Sequence, residues 1–214
     1  MQYDYGQWWL VVLNILIFGY FIWSNFKPQN KTDWRTLGSM LAFLVALFAE
    51  MYGFPLTIFL LTSFFGNKFL NLDFSHNDGH LLTTLLGYKG DPHFSPEHIL
   101  SYILIIGGII LLGNAWQVLY RAARKNDLAT TGPYHYVRHP QYLAFILIIV
   151  GFLLQWPTII TLLMAPILIW RYLNLGRKEE KQALIKFGNK YQSYFNRTPG
   201  YIPLLTFSHD QPKR

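Results

Sequence analysis

Apolar residues gather in five long runs separated by polar segments, and each run reads as helix. A bilayer crossing takes about 20 mostly apolar residues. The candidates are Trp8–Ser24, Leu37–Phe65, Ile99–Tyr120, Tyr142–Leu154 and Ile159–Leu173. No Lys or Arg precedes the first run and no small-residue cleavage site follows it, so it reads as a span rather than a removable signal. The second run is longer than one crossing requires. It carries Glu50 in its middle and Gly53-Phe54-Pro55 one turn later, which predicts one long bent helix or a helix followed by a re-entrant piece. Gln155-Trp156-Pro157 joins the last two runs, a turn so short that they must form a helical hairpin.

The polar segments set the expected orientation. Segment 25–36 holds Lys27, Lys31 and Arg35, segment 121–140 holds Arg121, Arg124, Lys125 and Arg138, and nine more cations follow from 171. Segment 66–98 holds only Lys68 and Lys89. By the positive-inside rule the N-terminus lies outside and the C-terminus in the cytoplasm. Composition agrees with a membrane protein. Of 214 residues, 52% are hydrophobic and 14% charged, where soluble domains carry about 25% charged residues. The net charge of +7 then reports topology rather than nucleic acid. The absence of cysteine excludes disulfides, thiolate metal sites and cysteine nucleophiles. No repeat, linker or low-complexity tract divides the chain, so residues 1–214 are expected to form a single all-α membrane domain.

Two polar blocks stand out. The first is Gly132-Pro133-Tyr134-His135-Tyr136-Val137-Arg138-His139-Pro140-Gln141-Tyr142. Gly-Pro marks a turn and Pro140 suits a first helical position. The free N–H groups there attract anions, with Arg138 and His139 beside them. The same residues also serve as interfacial anchors. The second block, Arg177 to Phe195, is helical in pattern, with Glu180, Leu184, Phe187, Tyr191 and Tyr194 on one face. It reads as an amphipathic helix on the membrane surface. An acid on that face either binds an ammonium or ribose hydroxyls, or pairs with Arg138 or another loop cation.

Together the blocks resemble the isoprenylcysteine carboxyl methyltransferase family, which is grouped with membrane phospholipid and small-thiol methyltransferases. The resemblance rests on Gly-x-Tyr-x-x-x-Arg-His-Pro-x-Tyr, the hairpin, Glu-Glu-x-x-x-Leu-x-x-Phe-Gly-x-x-Tyr-x-x-Tyr and Thr198-Pro199-Gly200-Tyr201-Ile202-Pro203. It covers about residues 117–204 and leaves 1–116 as a variable transmembrane part. It implies an S-adenosylmethionine site on the cytoplasmic side, with contacts from Asn126, Leu128 and Ala129, then Tyr134, Arg138, His139, Pro140, Gln141 and Tyr142. The family pattern puts Glu179 on the cofactor, whereas the helical face favours Glu180. Leu175 stands where members acting on prenylcysteine carboxylates have arginine, with Arg171 and Arg177 nearby. The expected acceptor is therefore a lipophilic or small apolar molecule (a carboxylate, thiol or amine) reached from the membrane lipid, with Arg171 or Glu50 as its polar anchor in catalysis.

Glu50, an acid within a span, is a functional candidate by default; it either faces the acceptor cavity or pairs with a cation. His76, His80, His93 and His98 read as surface histidines and no metal is expected, because Asn77 and Gly79 weaken a helical presentation of ligands. Two other classes compete. An NADPH-dependent membrane reductase of related fold would have a longer chain and further polar segments. A non-catalytic lipid-binding membrane protein would not need both polar blocks complete.

Overall fold

A computed structural model describes residues 5–26, 31–66, 72 and 74–203. Lys27, Lys68, Lys213 and Arg214, four of the cations behind the expected orientation, lie outside the described residues. Within them the chain is all helical, with no strand. The helices are α1 (Trp8–Phe26), α2 (Lys31–Phe48), α3 (Leu56–Phe65), α4 (Leu81–Leu85), α5 (Pro96–Arg124), α6 (Pro133–Tyr136), α7 (Pro140–Gln155), α8 (Ile159–Phe187) and α9 (Asn189–Arg197). Three helical stretches, Trp34–Gly53, Pro96–Arg124 and Ile159–Phe187, are long and apolar enough to cross a membrane; Trp8–Ser24, Leu56–Phe65 and Pro140–Gln155 are shorter apolar helices.

Helix α7 runs through the centre of the molecule. Ala144, Phe145, Ile148, Ile149 and Phe152 are buried in one apolar cluster that also holds Met40, Phe43, Leu44 and Leu47 of α2, and Phe145 stacks on Tyr172 of α8. Its contact with α5 is close because small residues interlock. A Cβ on Gly108 would come within 2.9 Å of the Ala144 carbonyl, and one on Gly151 within 3.0 Å of the Ser101 carbonyl. Without a hydrophobic force between helices in lipid, such close backbone approach supplies the packing. The outer faces stay apolar: Ile103, Ile106 and Ile110 of α5 and Leu163, Ile167 and Trp170 of α8 are exposed.

The long second run breaks at Phe54-Pro55, after α2 widens into a π-helical turn over Ala49–Gly53. Glu50 is buried there beside a small second cavity that it lines, and its hydrogen bond goes to the backbone. Its Oε2 accepts the Thr57 N–H at 2.7 Å, so the carboxylate caps the N-terminus of α3, where free N–H groups and the helix dipole favour an anion. Thr57 Oγ1 in turn accepts the Ile159 N–H at 2.9 Å, at the start of α8. Helix α8 opens on a reciprocal capping box between Thr158 and Thr161, and the α7–α8 turn is as short as the sequence requires.

The sequence also expects a span ending near Leu173 and a separate surface helix over 177–195. Instead α8 continues unbroken to Phe187, because nothing between Asn174 and Arg177 stops a helix. The break falls at Gly188, whose φ of +51° suits a residue without a Cβ. The histidines differ from expectation too. His80 and His98 are each 1% exposed: the Trp156 ring, which lies over Gly79, packs on His80, and His98 packs against His80 and Tyr102.

Glu50→Ala is expected to destabilise the protein by about 1–3 kcal/mol, the cost of leaving a buried donor unsatisfied. Glu50→Gln, which keeps an acceptor oxygen, should lose less. Unfolding in mixed detergent measures both, and wild-type stability in the alanine variant would show that the cap is dispensable.

Candidate active site

At one end of the bundle a cavity of about 300 Å³ lies between the C-terminal end of α5, the segment 127–141, the last turns of α8, and α9. Sequence local rules build each wall. Asn126 holds a φ of +49°, a left-handed conformation that Asn tolerates better than most residues. It turns the chain off α5 so that Asp127, Leu128 and Ala129 enter the cavity wall. Asp127 accepts from the Leu128 N–H and from Lys190 Nζ, which ties this loop to α9. The Lys190 bond holds the exposed Asp127 carboxyl below its usual range.

Arg138 is the central connection. Its Nε and Nη2 donate to Glu180 Oε1 at 3.0 and 2.8 Å, and its Nη1 donates to the Phe195 and Thr198 carbonyls. The guanidinium also lies 3.9 Å from the centre of the Phe195 ring. His139 sits between the two acids, with Nε2 at 3.0 Å from Glu180 Oε1 and Nδ1 at 3.6 Å from Glu179 Oε2. The backbone N–H groups of Arg138 and His139 donate to the Pro199 and Gly200 carbonyls. Tyr201 then stacks on His139 with ring centres 5.2 Å apart. That docking needs Gly176, where a Cβ would stand 2.1 Å from the Tyr201 hydroxyl.

The two carboxylates are thus distinct. Glu180 is spent on Arg138 and His139, the ion pair that the sequence allowed for it. Glu179 accepts the Tyr142 hydroxyl, is 42% exposed in its side chain, and lines the cavity beside it. Tyr134 donates to Gln141 Oε1 at 2.7 Å and receives the Tyr194 hydroxyl on its carbonyl at 2.6 Å. Burial is the main cause that pushes the Tyr191 hydroxyl up to about 12, with the Glu180 charge adding to it. The aromatic wall is therefore neutral at physiological pH.

Of the residues expected from the sequence, Leu128, Ala129, Tyr134, Arg138, His139, Gln141, Glu179 and Glu180 line the cavity. Asn126, Pro140 and Tyr142 support it from behind: Asn126 turns the loop, Pro140 opens α7, and Tyr142 holds Glu179. Arg171 and Glu50 do not line it. Arg171 Nη1 donates to Ser39 Oγ of α2 at 2.7 Å, and Glu50 caps α3. Leu175 is buried in the main core. Leu119 and Ala123 of α5, with Gln182, Ala183 and Lys186 of α8, also line the cavity. Leu119 lies at the end of the run Ile99–Tyr120, and continuing that helix one turn further would have found Ala123.

Residues 96–186 match the isoprenylcysteine carboxyl methyltransferase family. Over 109 residues the chain is 27% identical to the protein-S-isoprenylcysteine O-methyltransferase of Schizosaccharomyces pombe, covering 50% of this chain and 46% of that protein. It is 29% identical over 110 residues to protein-S-isoprenylcysteine O-methyltransferase B of Arabidopsis thaliana, covering 50% and 56%. It is 32% identical over 97 residues to the cobalt-zinc-cadmium resistance protein CzcN of Cupriavidus metallidurans, covering 44% of each. The chain spans about half the length of these relatives. No solved structure matches it.

Arg138→Lys keeps the charge but loses the planar fork. Residues 189–203 should then detach more often, and trypsin should cut at Lys190 and Arg197 at least about tenfold faster, the rate following a loss of roughly 1.4 kcal/mol or more in closure. Unchanged cleavage would show that the tail is held without the guanidinium.

Proposed function

The chain is isoprenylcysteine carboxyl methyltransferase-like over residues 96–186, and from that premise we propose that it transfers a methyl group from S-adenosylmethionine to a lipophilic or small apolar acceptor. The carrying observation is the cavity itself. It lies within and just beyond the matched segment, and it combines a carboxylate pair with a neutral aromatic wall. Residues 117–204 form the cofactor-binding part of one domain spanning 1–214. The protein crosses the membrane several times, five in this reading, with the cavity facing the cytoplasm, as the cation distribution supports.

The residues present suit such a cofactor. Glu179 and Asp127 are carboxylates at the cavity wall for an ammonium group or ribose hydroxyls, and Tyr191, Tyr194 and Phe187 offer faces to a flat heterocycle and a sulfonium. S-adenosylmethionine, when bound, supplies an electrophilic methyl group that needs no metal or covalent enzyme intermediate. The chain's part is alignment, worth roughly 7–11 kcal/mol at best, and exclusion of water. Gln141, held by Tyr134, and Leu128, held by Asp127, line a preformed surface for that alignment. His139 is committed to Glu180 and Tyr201, so it fixes the wall and does not act as a general base.

The acceptor carries a carboxylate, thiol or amine and enters from the membrane. Leu175, buried in the core, stands where the family members that act on a prenylcysteine carboxylate carry arginine. Arg171, one turn earlier on α8 and half-buried against α2, is the substitute anchor in this proposal, with Arg177 two residues after Leu175 as its alternative. Glu50, occupied on α3, keeps a structural task.

The test is transfer of a labelled methyl group from S-adenosylmethionine to prenylcysteine analogues, alkyl thiols and aminophospholipids. Label should reach at least one class, with several homologues accepted, because an apolar pocket discriminates by only about 1–3 kcal/mol per methylene. Glu179→Gln should raise the KM for the donor by about tenfold or more while changing kcat less, as loss of a charge-assisted bond worth about 1.5–3 kcal/mol requires. No transfer to any class by the wild-type protein would refute the activity, and an unchanged KM would remove Glu179 from the donor site.

A further inference from the structure

At the opposite end of α7 from the cavity, four imidazole rings come together. His76 and His80 flank the turn Asn77–Gly79, His93 lies in the turn Pro92–Phe94, and His98 in the first turn of α5. Ring centres are 4.9 Å apart for His80–His93 and His80–His98, 5.7 Å for His76–His80, and 5.2 Å for His93–His98. One ring nitrogen from each of His76, His80 and His93 lies within 4.8 Å of the other two. We propose that His76, His80 and His93 form a binding site for a divalent transition-metal ion of the zinc type, remote from the cavity.

The hydrogen bonds fix which nitrogens are available. His80 Nδ1 is 3.0 Å from the Gln155 carbonyl. A carbonyl only accepts, so Nδ1 carries the proton and Nε2 keeps its lone pair. His93 Nδ1 is 2.7 Å from Asp91 Oδ1, and the same argument leaves its Nε2 lone pair free to bind. Ligating histidines in metal sites are held this way, with the second nitrogen donating to a carbonyl or carboxylate that sets the tautomer. His80 is 1% exposed, yet its Nε2 has no hydrogen-bond partner. Buried polar atoms are rarely left so, and a metal ion held also by the nearby His76 and His93 is a partner that would use this lone pair.

The donor chemistry selects the ion. Three neutral imidazoles with no thiolate suit zinc, cobalt, nickel or copper, and not calcium or magnesium, which take oxygen ligands. Donors on one tetrahedral ion at about 2.0–2.1 Å stand roughly 3.4 Å apart, so modest ring rotations close the present spacing. The ion would join the turns at 76–80 and 92–94 to each other, and through His80 to the end of α7 and Trp156, whose ring lies 4.7 Å from His76. It would act as a staple for the end of the bundle that lacks the cavity.

The probe is zinc, titrated calorimetrically into the full-length protein in detergent after chelator treatment and removal of any histidine tag. One equivalent should bind. His76→Gln and His93→Gln, both partly exposed positions, should each weaken binding at least about tenfold, and Asp91→Ala, which removes the acceptor for His93 Nδ1–H, about 10–100-fold as a lost orienting partner. Circular dichroism should remain unchanged in all three. Cobalt should give the intense visible bands of a tetrahedral nitrogen and oxygen site. No zinc bound by the native protein, a cobalt spectrum of the six-coordinate aqueous ion, or native affinity in both glutamine variants would each overturn the site.

Discussion

Arg138 presents five N–H donors in one plane, and the geometry of the cavity follows from how they are used. One edge of the guanidinium takes Glu180 of α8, while Nη1 takes two carbonyls at the end of α9. Three segments far apart in sequence therefore meet on one residue. A largely enclosed cation without partners would be costly, and the tail that returns to it brings Tyr191 and Tyr194 into the wall of the cavity that Glu179 also lines. Lys could supply the charge but not the simultaneous directions.

The same demand to satisfy polar groups shapes the apolar part of the chain. In a mostly hydrocarbon surrounding, a broken helix exposes N–H groups that water cannot reach. The second run breaks at Phe54-Pro55, and Glu50 is the residue that covers the exposed end. Thr57 passes the solution on to α8, and Thr158 with Thr161 completes it. An acid inside a span can thus serve the backbone.

Much of this arrangement was legible in the sequence, and what was not has physical causes. The apolar runs gave the helices, Gly53-Phe54-Pro55 gave the break, and Gln155-Trp156-Pro157 gave the hairpin. The Arg-His-Pro block and the glutamate pair named most of the cavity's polar lining. A helical wheel through residues 177–195 put Glu180, Phe187, Tyr191 and Tyr194 on one face, and all four do line the cavity. They do so as two walls, because Gly188 bends the chain where the wheel continued. Leu184, assigned to the same face, is instead exposed. The tasks of Glu50 and Arg171 depend on Thr57 and Ser39, partners that no local pattern identifies. His80 reads as exposed in the sequence because Trp156, whose ring packs on it, lies far away along the chain.

Hydrogen exchange of the protein in detergent, with and without S-adenosylhomocysteine, tests whether this cavity holds the cofactor. Amides of 127–134 and 179–195 should slow markedly on binding, while those of 76–98, at the other end of α7, should not change. Binding that protects only segments outside the cavity walls, or saturating ligand that protects nothing, would contradict the account.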